Sequence, residues 1–298
     1  MLPSRSVPPS RRLPTARITP GGRAAVKQWI EDLLAVGVHH FTVAEAHSAL
    51  GGTLARVHVA LSRLAASGRV VRPVKGFYVI ITPEHRSLGT PPPSWYIDPL
   101  MSHLALPYYV ALLSAAAVHG AAPQAPQEFQ VMTSRGLGVK TVGKARIRWI
   151  SKKSLAPLGT RNDGTPVSKI QRVNTPTGTM LISTAETTAV DLVEYAHRAG
   201  YISHVASVLD ALTDQLDPAA LTVACAGHGP VAQRLGYIFD TLGHDRLASA
   251  VEAALDARRV SGRAGRVRPI PLSPGAPTTD APLDARWKVL VNDTIEPD

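Results

Sequence analysis

A single cysteine stands in this sequence of 298 residues, so Cys225 has no internal partner and a disulfide framework is excluded. A lone thiol fits a reducing compartment, and the expected location is cytoplasmic. Long apolar runs are missing as well. The longest, such as residues 108–118, fall far short of the roughly 20 residues that a membrane span needs. The opening MLPSRSVPPSRRLPTAR has charge but no apolar centre, which argues against a signal peptide. No membrane partner is expected.

The marks of an enzyme are scarce too. Cys225 and His228 have metal-like spacing, but no second pair of ligands stands near them to complete a zinc site. RGLGVKTVGK at 135–144 is glycine-rich and basic, yet it lacks the G-x-x-x-x-G-K-[ST] order of a phosphate loop and reads as a flexible or partner-binding loop. No G-x-S-x-G elbow occurs. Glu186, Asp191 and Glu194 fall on one expected helix, but no carboxylate-x-Lys strand accompanies them. Ser183 and Glu186 have capping-box spacing, which spends Glu186 on the helix start. His119 reads as a buried histidine. The expectation is therefore no catalytic residue, no metal and no cofactor.

What the sequence does have is an uneven charge. Its net charge is +10, and residues 1–82 hold eleven basic side chains against Glu31, Asp32 and Glu45. The other 216 residues are nearly neutral. Such asymmetry points to a polyanionic partner for the N-terminal part, with a merely soluble basic surface as the rival reading.

At roughly 150 residues per domain the length suggests two. Residues 1–20, with five prolines and four arginines, read as a disordered basic arm. A first helix is expected over 22–36, with Val26, Trp29, Ile30 and Leu33 on one face. A second opens at Thr42, whose capping partner is Glu45, and turns Ala46, Ala49 and Leu50 inward. Gly51 and Gly52 make the turn, and Thr53 caps a third helix over 54–67. At a step of about 100° per residue, Leu54, Val57, Ala60, Leu61 and Leu64 form its buried stripe. Ala55, Val59, Ser62 and Ala66 oppose them, flanked by Arg56, Arg63 and His58.

Small residues on an exposed ridge let a helix enter a groove, while arginines beside them reach guanine edges or phosphates. RVVRPVKGFYVI then reads as a hairpin turning at Lys75-Gly76. Phe77 and Tyr78 are expected to pack it back on the third helix. Recognition helix plus wing makes a winged helix-turn-helix over 21–88 that binds duplex DNA. The expected DNA-binding residues are Arg23, Lys27, Thr42, Thr53, Arg56, His58, Val59, Ser62, Arg63, Arg69, Arg72 and Lys75.

Proline-rich 89–99 reads as an extended linker. Residues 100–298 are expected to form a larger α+β domain: a buried helix from Tyr108 to about Gly120, strands at EFQVMTS, ARIRWIS and GTMLIS, then a helical cluster. Asp217 should cap a helix with Pro218 at its first position, followed by helices over 231–242 and 246–257. An Arg-rich loop is expected at 258–268. The fold class is thus α+β, a small mixed sheet and helical cluster behind a winged helix.

Three segments, KGFYVI, YYVALLSAAAVHGA and ISTAETTAVDLVE, together resemble the AbiEi family of bacterial antitoxins. KGFYVI resembles the end of its wing, and YYVALLSAAAVHGA is similar to its Y-x-x-L-x-S-A-A-x-x-H-G-A segment. ISTAETTAVDLVE is similar to its V-x-x-x-E-x-T-x-x-D-L-V-E segment, through Glu186, Thr188, Asp191, Leu192 and Glu194. The likeness covers most of 22–200, and the composition resembles that of a mycobacterial member. It implies an antitoxin of a type IV toxin–antitoxin system linked to abortive infection, opposing a nucleotidyltransferase-type toxin. It also implies autorepression through an inverted-repeat operator in the protein's own promoter; the sequence is as compatible with a dimer on DNA as with a monomer that pairs on two half-sites. Some relatives end in a nuclease-like domain, a function not carried over here. Two rivals remain: a stand-alone regulator whose C-terminal domain binds a small-molecule or protein effector, and a nucleic-acid enzyme targeted by a winged helix.

Overall fold

The computed structural model describes residues 23–122, 126–155, 159–160, 166–260 and 268–295. The arm expected over 1–20 lies outside them. In chain order the helices are α1 (Arg23–Ala35), α2 (Val43–Leu50), α3 (Leu54–Ala66), α4 (Ile97–His103), α5 (Leu112–Val118), α6 (Ala185–Glu194), α7 (Tyr201–Leu212), α8 (Pro218–Cys225), α9 (Gly229–Thr241) and α10 (Asp245–Val260). The strands of the first half are β1 (His40–Thr42), β2 (Val70–Val74), β3 (Phe77–Ile80), β4 (Tyr108–Val110), β5 (Phe129–Thr133), β6 (Gly138–Val142) and β7 (Ala145–Ser151). Those of the second half are β8 (Gly159–Thr160), β9 (Pro166–Val167), β10 (Ile170–Thr175), β11 (Gly178–Ser183), β12 (Ile270–Pro271), β13 (Leu283–Asp284) and β14 (Val289–Leu290). The protein is α+β, as its sequence implied. Its contacts divide it into two units: Met1–Tyr108 with Gln127–Ser154 and Arg172–Met180, and Tyr109–Pro126 with Leu155–Gln171 and Leu181–Asp298.

The first unit begins with three helices closed by a sheet of order β1-β3-β2. Both adjoining pairs are antiparallel, with Phe41 opposite Tyr78 and Val74 opposite Phe77 across the tight turn. Gly76 sits in that turn at φ 83°, a conformation that a side chain resists. The core is Trp29, Ile30 and Leu33 of α1, Val57, Leu61 and Leu64 of α3, and Phe41, Val70, Tyr78 and Ile80 of the sheet. Trp29 meets Phe41 edge-on at 4.9 Å, and Phe41 stacks on Tyr78 at 5.5 Å. Burying such side chains contributes about 2 kcal/mol each. Tyr78 therefore joins the core as expected, whereas Phe77 packs on the rings of His40 and His103.

The same unit holds β5, β7 and β6, the first pair parallel and the second antiparallel. Here several expectations are corrected. The Gly-rich stretch at 135–144, read as a flexible or partner-binding loop, contains strand β6. Residues 89–99 are not an extended linker: a 3₁₀ turn at Pro93–Trp95 leads into α4, and Tyr96 and Ile97 are fully buried. Proline stiffens a chain without keeping it from packing. Leu54, placed in the buried stripe, is instead 49% exposed at the first position of α3.

In the second unit α6 is the central helix, packed against α5, α7, α8 and α9, with α10 across α8 and α9. The single helix expected from Tyr108 is instead strand β4 followed by α5. Leu112, at φ 52°, turns the chain between them. An unbroken apolar run cannot distinguish a buried strand from a buried helix. β11 runs parallel to β4, with Ile182 opposite Val110. Asp217 and Pro218 open α8 as foreseen, the carboxylate accepting from Ala219 N. Of the Arg-rich stretch, residues 258–260 continue α10 and 261–267 lie outside the described residues. Beyond it, strands β12-β14-β13 form a small sheet against α9, where Trp287 covers Gly236. A Cβ at Gly236 would fall 2.1 Å from that indole.

Candidate nucleic-acid interface

Helix α3 owes its position to its two sides. Thr53 starts it, the hydroxyl accepting from Arg56 N at 3.4 Å, while Val57, Leu61 and Leu64 fasten it to the core. Ala55, Arg56, His58, Val59, Ser62, Arg63 and Ala66 are left exposed, Val59 at 51%. The preceding turn holds Gly51 and Gly52 at positive φ, where neither glycine's Cβ position meets a neighbour. Backbone strain alone explains glycine there.

Along one flank of α3 runs an open groove of about 870 Å³. Its floor includes Val26, Leu50, Val57, Val59, Ala60 and Leu64, and its cations are Lys27, Arg56, Arg63, Arg69 and Arg86. Five of the residues singled out from the sequence thus meet: Lys27, Arg56, Val59, Arg63 and Arg69. His58 and Ser62 lie on the other flank, and Arg72 and Lys75 are exposed on the hairpin. Arg86 was missed, since it follows β3 in an irregular turn that no periodicity marks.

The cations differ in their freedom. Arg69 is paired with Glu31 of α1, which ties the start of β2 to the first helix. Arg56, Arg63, Arg72 and Lys75 make no ion pair among the described residues. Thr42 is engaged in its capping box, where its N–H donates to Glu45 Oε2 at 2.6 Å and its hydroxyl accepts from Glu45 N at 3.2 Å. The hairpin tip is held as well, since the Lys75 carbonyl accepts from His103 Nε2 at 3.1 Å. Arg23 is the first residue of α1, and its side chain lies outside the described residues.

Polar groups of the second unit are arranged differently. Asp191, fully buried, accepts from the Tyr109 hydroxyl at 2.9 Å. Burial first, and the Asp191 charge second, push the Tyr109 phenol far up, so it stays a neutral donor. Thr184, not Ser183, caps α6. Ser183 instead shares a 2.6 Å hydrogen bond with Thr188, and Glu186 accepts from Asp217 N at 3.0 Å. The capping expected of Glu186 thus goes to another helix, because a backbone N–H at the start of α8 reaches it. His119 Nε2 meets the Ser183 carbonyl at 2.9 Å, and Glu194 faces His228 at 3.8 Å. Burial raises the Cys225 thiol to about 12 and leaves it unreactive at neutral pH. Among the described residues no three His, Cys, Asp or Glu side chains are grouped to hold a metal. No described helix is long and apolar enough to cross a membrane.

These buried pairs lie where comparison with known proteins is informative. Residues 109–241 match the AbiEi antitoxin C-terminal domain. The AbiEi match runs from Tyr109 in β4 to the last residue of α9, and takes in Glu186, Thr188, Asp191, Leu192 and Glu194. It bears out the resemblance read from the sequence over that span. The three N-terminal helices, the hairpin and strands β12–β14 lie outside it. Among curated proteins no match was found. The crystal structure of the RV2827C protein from Mycobacterium tuberculosis is similar to 91% of this chain and 92% of its own, with TM-score 0.58 at 14% identity. At that identity the likeness is one of fold.

Proposed function

We propose that this protein is a sequence-specific DNA-binding autorepressor and an antitoxin of a type IV toxin–antitoxin system, acting in the cytoplasm. In this reading residues 21–88 are a winged helix-turn-helix module and residues 100–298 the antitoxin module. The observation that carries the DNA reading is the outer face of α3. It offers small side chains, Arg56 and Arg63 without an ion pair among the described residues, and a basic groove on its flank, followed directly by a hairpin with Arg72 and Lys75. The AbiEi match supports the antitoxin role, and a nucleotidyltransferase-type toxin is the opponent that the family resemblance implies.

In the mechanism α3 enters the major groove. Arg56 and Arg63 meet guanine edges or phosphates, Val59 and Ala55 meet thymine methyls, and Lys27, Arg72 and Lys75 neutralise flanking phosphates. Inverted repeats in the promoter would then seat two copies. Arg56→Ala tests it. The expected loss is about 1–3 kcal/mol on the protein's own upstream DNA, with relaxed discrimination against a scrambled duplex. Equal binding of both duplexes by wild type and variant would refute this docking. The antitoxin arm is tested by co-expression with a toxic nucleotidyltransferase of the kind the resemblance implies, where restored growth is expected.

A further inference from the structure

The groove beside α3 holds more than a duplex needs. Its cations suffice to meet phosphates, and a phosphate gains nothing from the apolar floor beneath them. That floor includes Val26 of α1, Leu50 at the end of α2, and Ala60 and Leu64 of α3. Leu64 belongs to the core of the N-terminal helices, and Val26 and Leu50 pack against that core while half-buried. The floor is therefore preformed by the same contacts that hold the fold together.

Size, shape and charge narrow the occupant. The volume of about 870 Å³ falls within the roughly 300–1,000 Å³ of sites that take small molecules. The lining runs from Gly52 and Ala55 at the start of α3 to Ser67 just past its end, about 20 Å at 1.5 Å per residue. No described Asp or Glu lines it. Lys27, Arg56, Arg63 and Arg86 do, and they make no ion pair among the described residues. Arg69, the fifth cation, is held by Glu31. A neutral molecule would leave these cations unanswered, and an inorganic anion would leave the floor unfilled. An extended apolar body with one anionic end satisfies both, and arginine meets a carboxylate end with paired, charge-assisted hydrogen bonds.

We infer that this groove is an effector site for a free aliphatic carboxylate, whose chain lies along Val26, Leu50, Ala60 and Leu64 and whose head is met by the cations of the rim. Occupancy engages Arg56 and Arg63 and so withdraws them from DNA, which makes the carboxylate an inducer that releases the operator. The inducing role rests on the proposed DNA reading; the binding site itself does not. Linkage requires the two ligands to weaken each other's binding by the same factor. An anionic membrane surface and the duplex alone are the competing occupants. The free acid is favoured because the apolar floor lies in a concave groove flanked by the cations, where a single chain fits lengthwise.

The probe is decanoate, kept below micelle formation and titrated into the full chain by calorimetry. Decanol, which lacks the charge, and acetate, which lacks the chain, are the controls. Saturable binding of decanoate is expected, with both controls weaker by about ten-fold or more. Saturating decanoate should raise the Kd for the upstream duplex, read by fluorescence anisotropy, about ten-fold. Ala60→Leu fills the floor and should bring the ratio of duplex affinities with and without decanoate close to one. Arg86→Gln alters only an exposed side chain and should weaken decanoate binding about five-fold, which keeps the test open if the floor variant folds poorly. No saturable binding, or decanol bound as tightly, would overturn the inference and leave the groove to DNA. Capture by anionic vesicles without binding of free decanoate would overturn it in favour of a membrane surface. Decanoate bound with duplex affinity unaltered would overturn the inducing role. Decanoate bound by a wild type that binds neither the upstream nor a scrambled duplex would overturn the parent DNA reading and, with it, that role, while the site stands.

Discussion

Helices α3 and α6 begin alike, each with a threonine whose hydroxyl accepts from the backbone N–H three residues on. From there they diverge. On α3 the charged side chains point outward and make no ion pair among the described residues, and the helix is held by three apolar residues on its inner side. On α6 the polar side chains are buried and engaged: Asp191 with Tyr109, Thr188 with Ser183, and Glu186 with the start of α8. Burying an unsatisfied polar group costs about 1–3 kcal/mol, so α6 must keep its partners for the fold to survive. α3 carries no such obligation and can spend its side chains on another molecule. The two helices therefore call for opposite experiments, stability for one and binding for the other.

The largest expected effect falls on the buried side. Asp191→Ala strands the Tyr109 hydroxyl in the interior and should lower unfolding stability by about 3 kcal/mol, read by denaturant titration. Below the unfolding transition its DNA affinity should equal that of the wild type. A folded variant that loses DNA discrimination would erase the contrast between the two helices.

Alkaline pH should act next. Burial raises the Tyr96 phenol from 10.0 to about 12, with the Thr90 hydroxyl a smaller opposing influence. An acid whose folded value is raised contributes stability that is fully present below about pH 10 and is lost as pH rises towards 12. The loss is about 2–3 kcal/mol. Tyr96→Phe should flatten that part of the stability–pH curve. Tyr109 is shifted in the same direction, so some alkaline loss should remain in the variant. The smallest effect belongs to α3. Thr53→Ala removes one cap and should cost about 1 kcal/mol in stability.

How much of this could be read in the sequence follows the same division. The N-terminal helices were legible because local chemistry sets them: the Thr42–Glu45 capping box, the Gly51-Gly52 turn, the Thr53 cap and the two-residue turn at Lys75-Gly76. What failed depended on distant partners. β1 is three residues long, exists only because β3 pairs with it, and leaves no pattern of its own. β4 and α5 share one apolar run, and its division shows only where Ile182 pairs with Val110. Arg86 reaches the groove from an irregular turn, which spacing cannot foretell. Glu186 has the spacing of a cap but was claimed by a helix thirty-one residues on. The AbiEi-like motifs were visible throughout, although their roles as buried hydrogen-bonding pairs were not.

The measurement that tests the central claim most directly is equilibrium binding of the intact wild-type protein to its own upstream DNA and to a scrambled duplex at two salt concentrations. A DNA-reading α3 predicts a preference of about 10³ or more that persists as salt rises, with absolute affinity falling steeply. Equal affinity for both duplexes, lost together at the higher salt, would contradict it and reduce α3 and its neighbours to a basic surface.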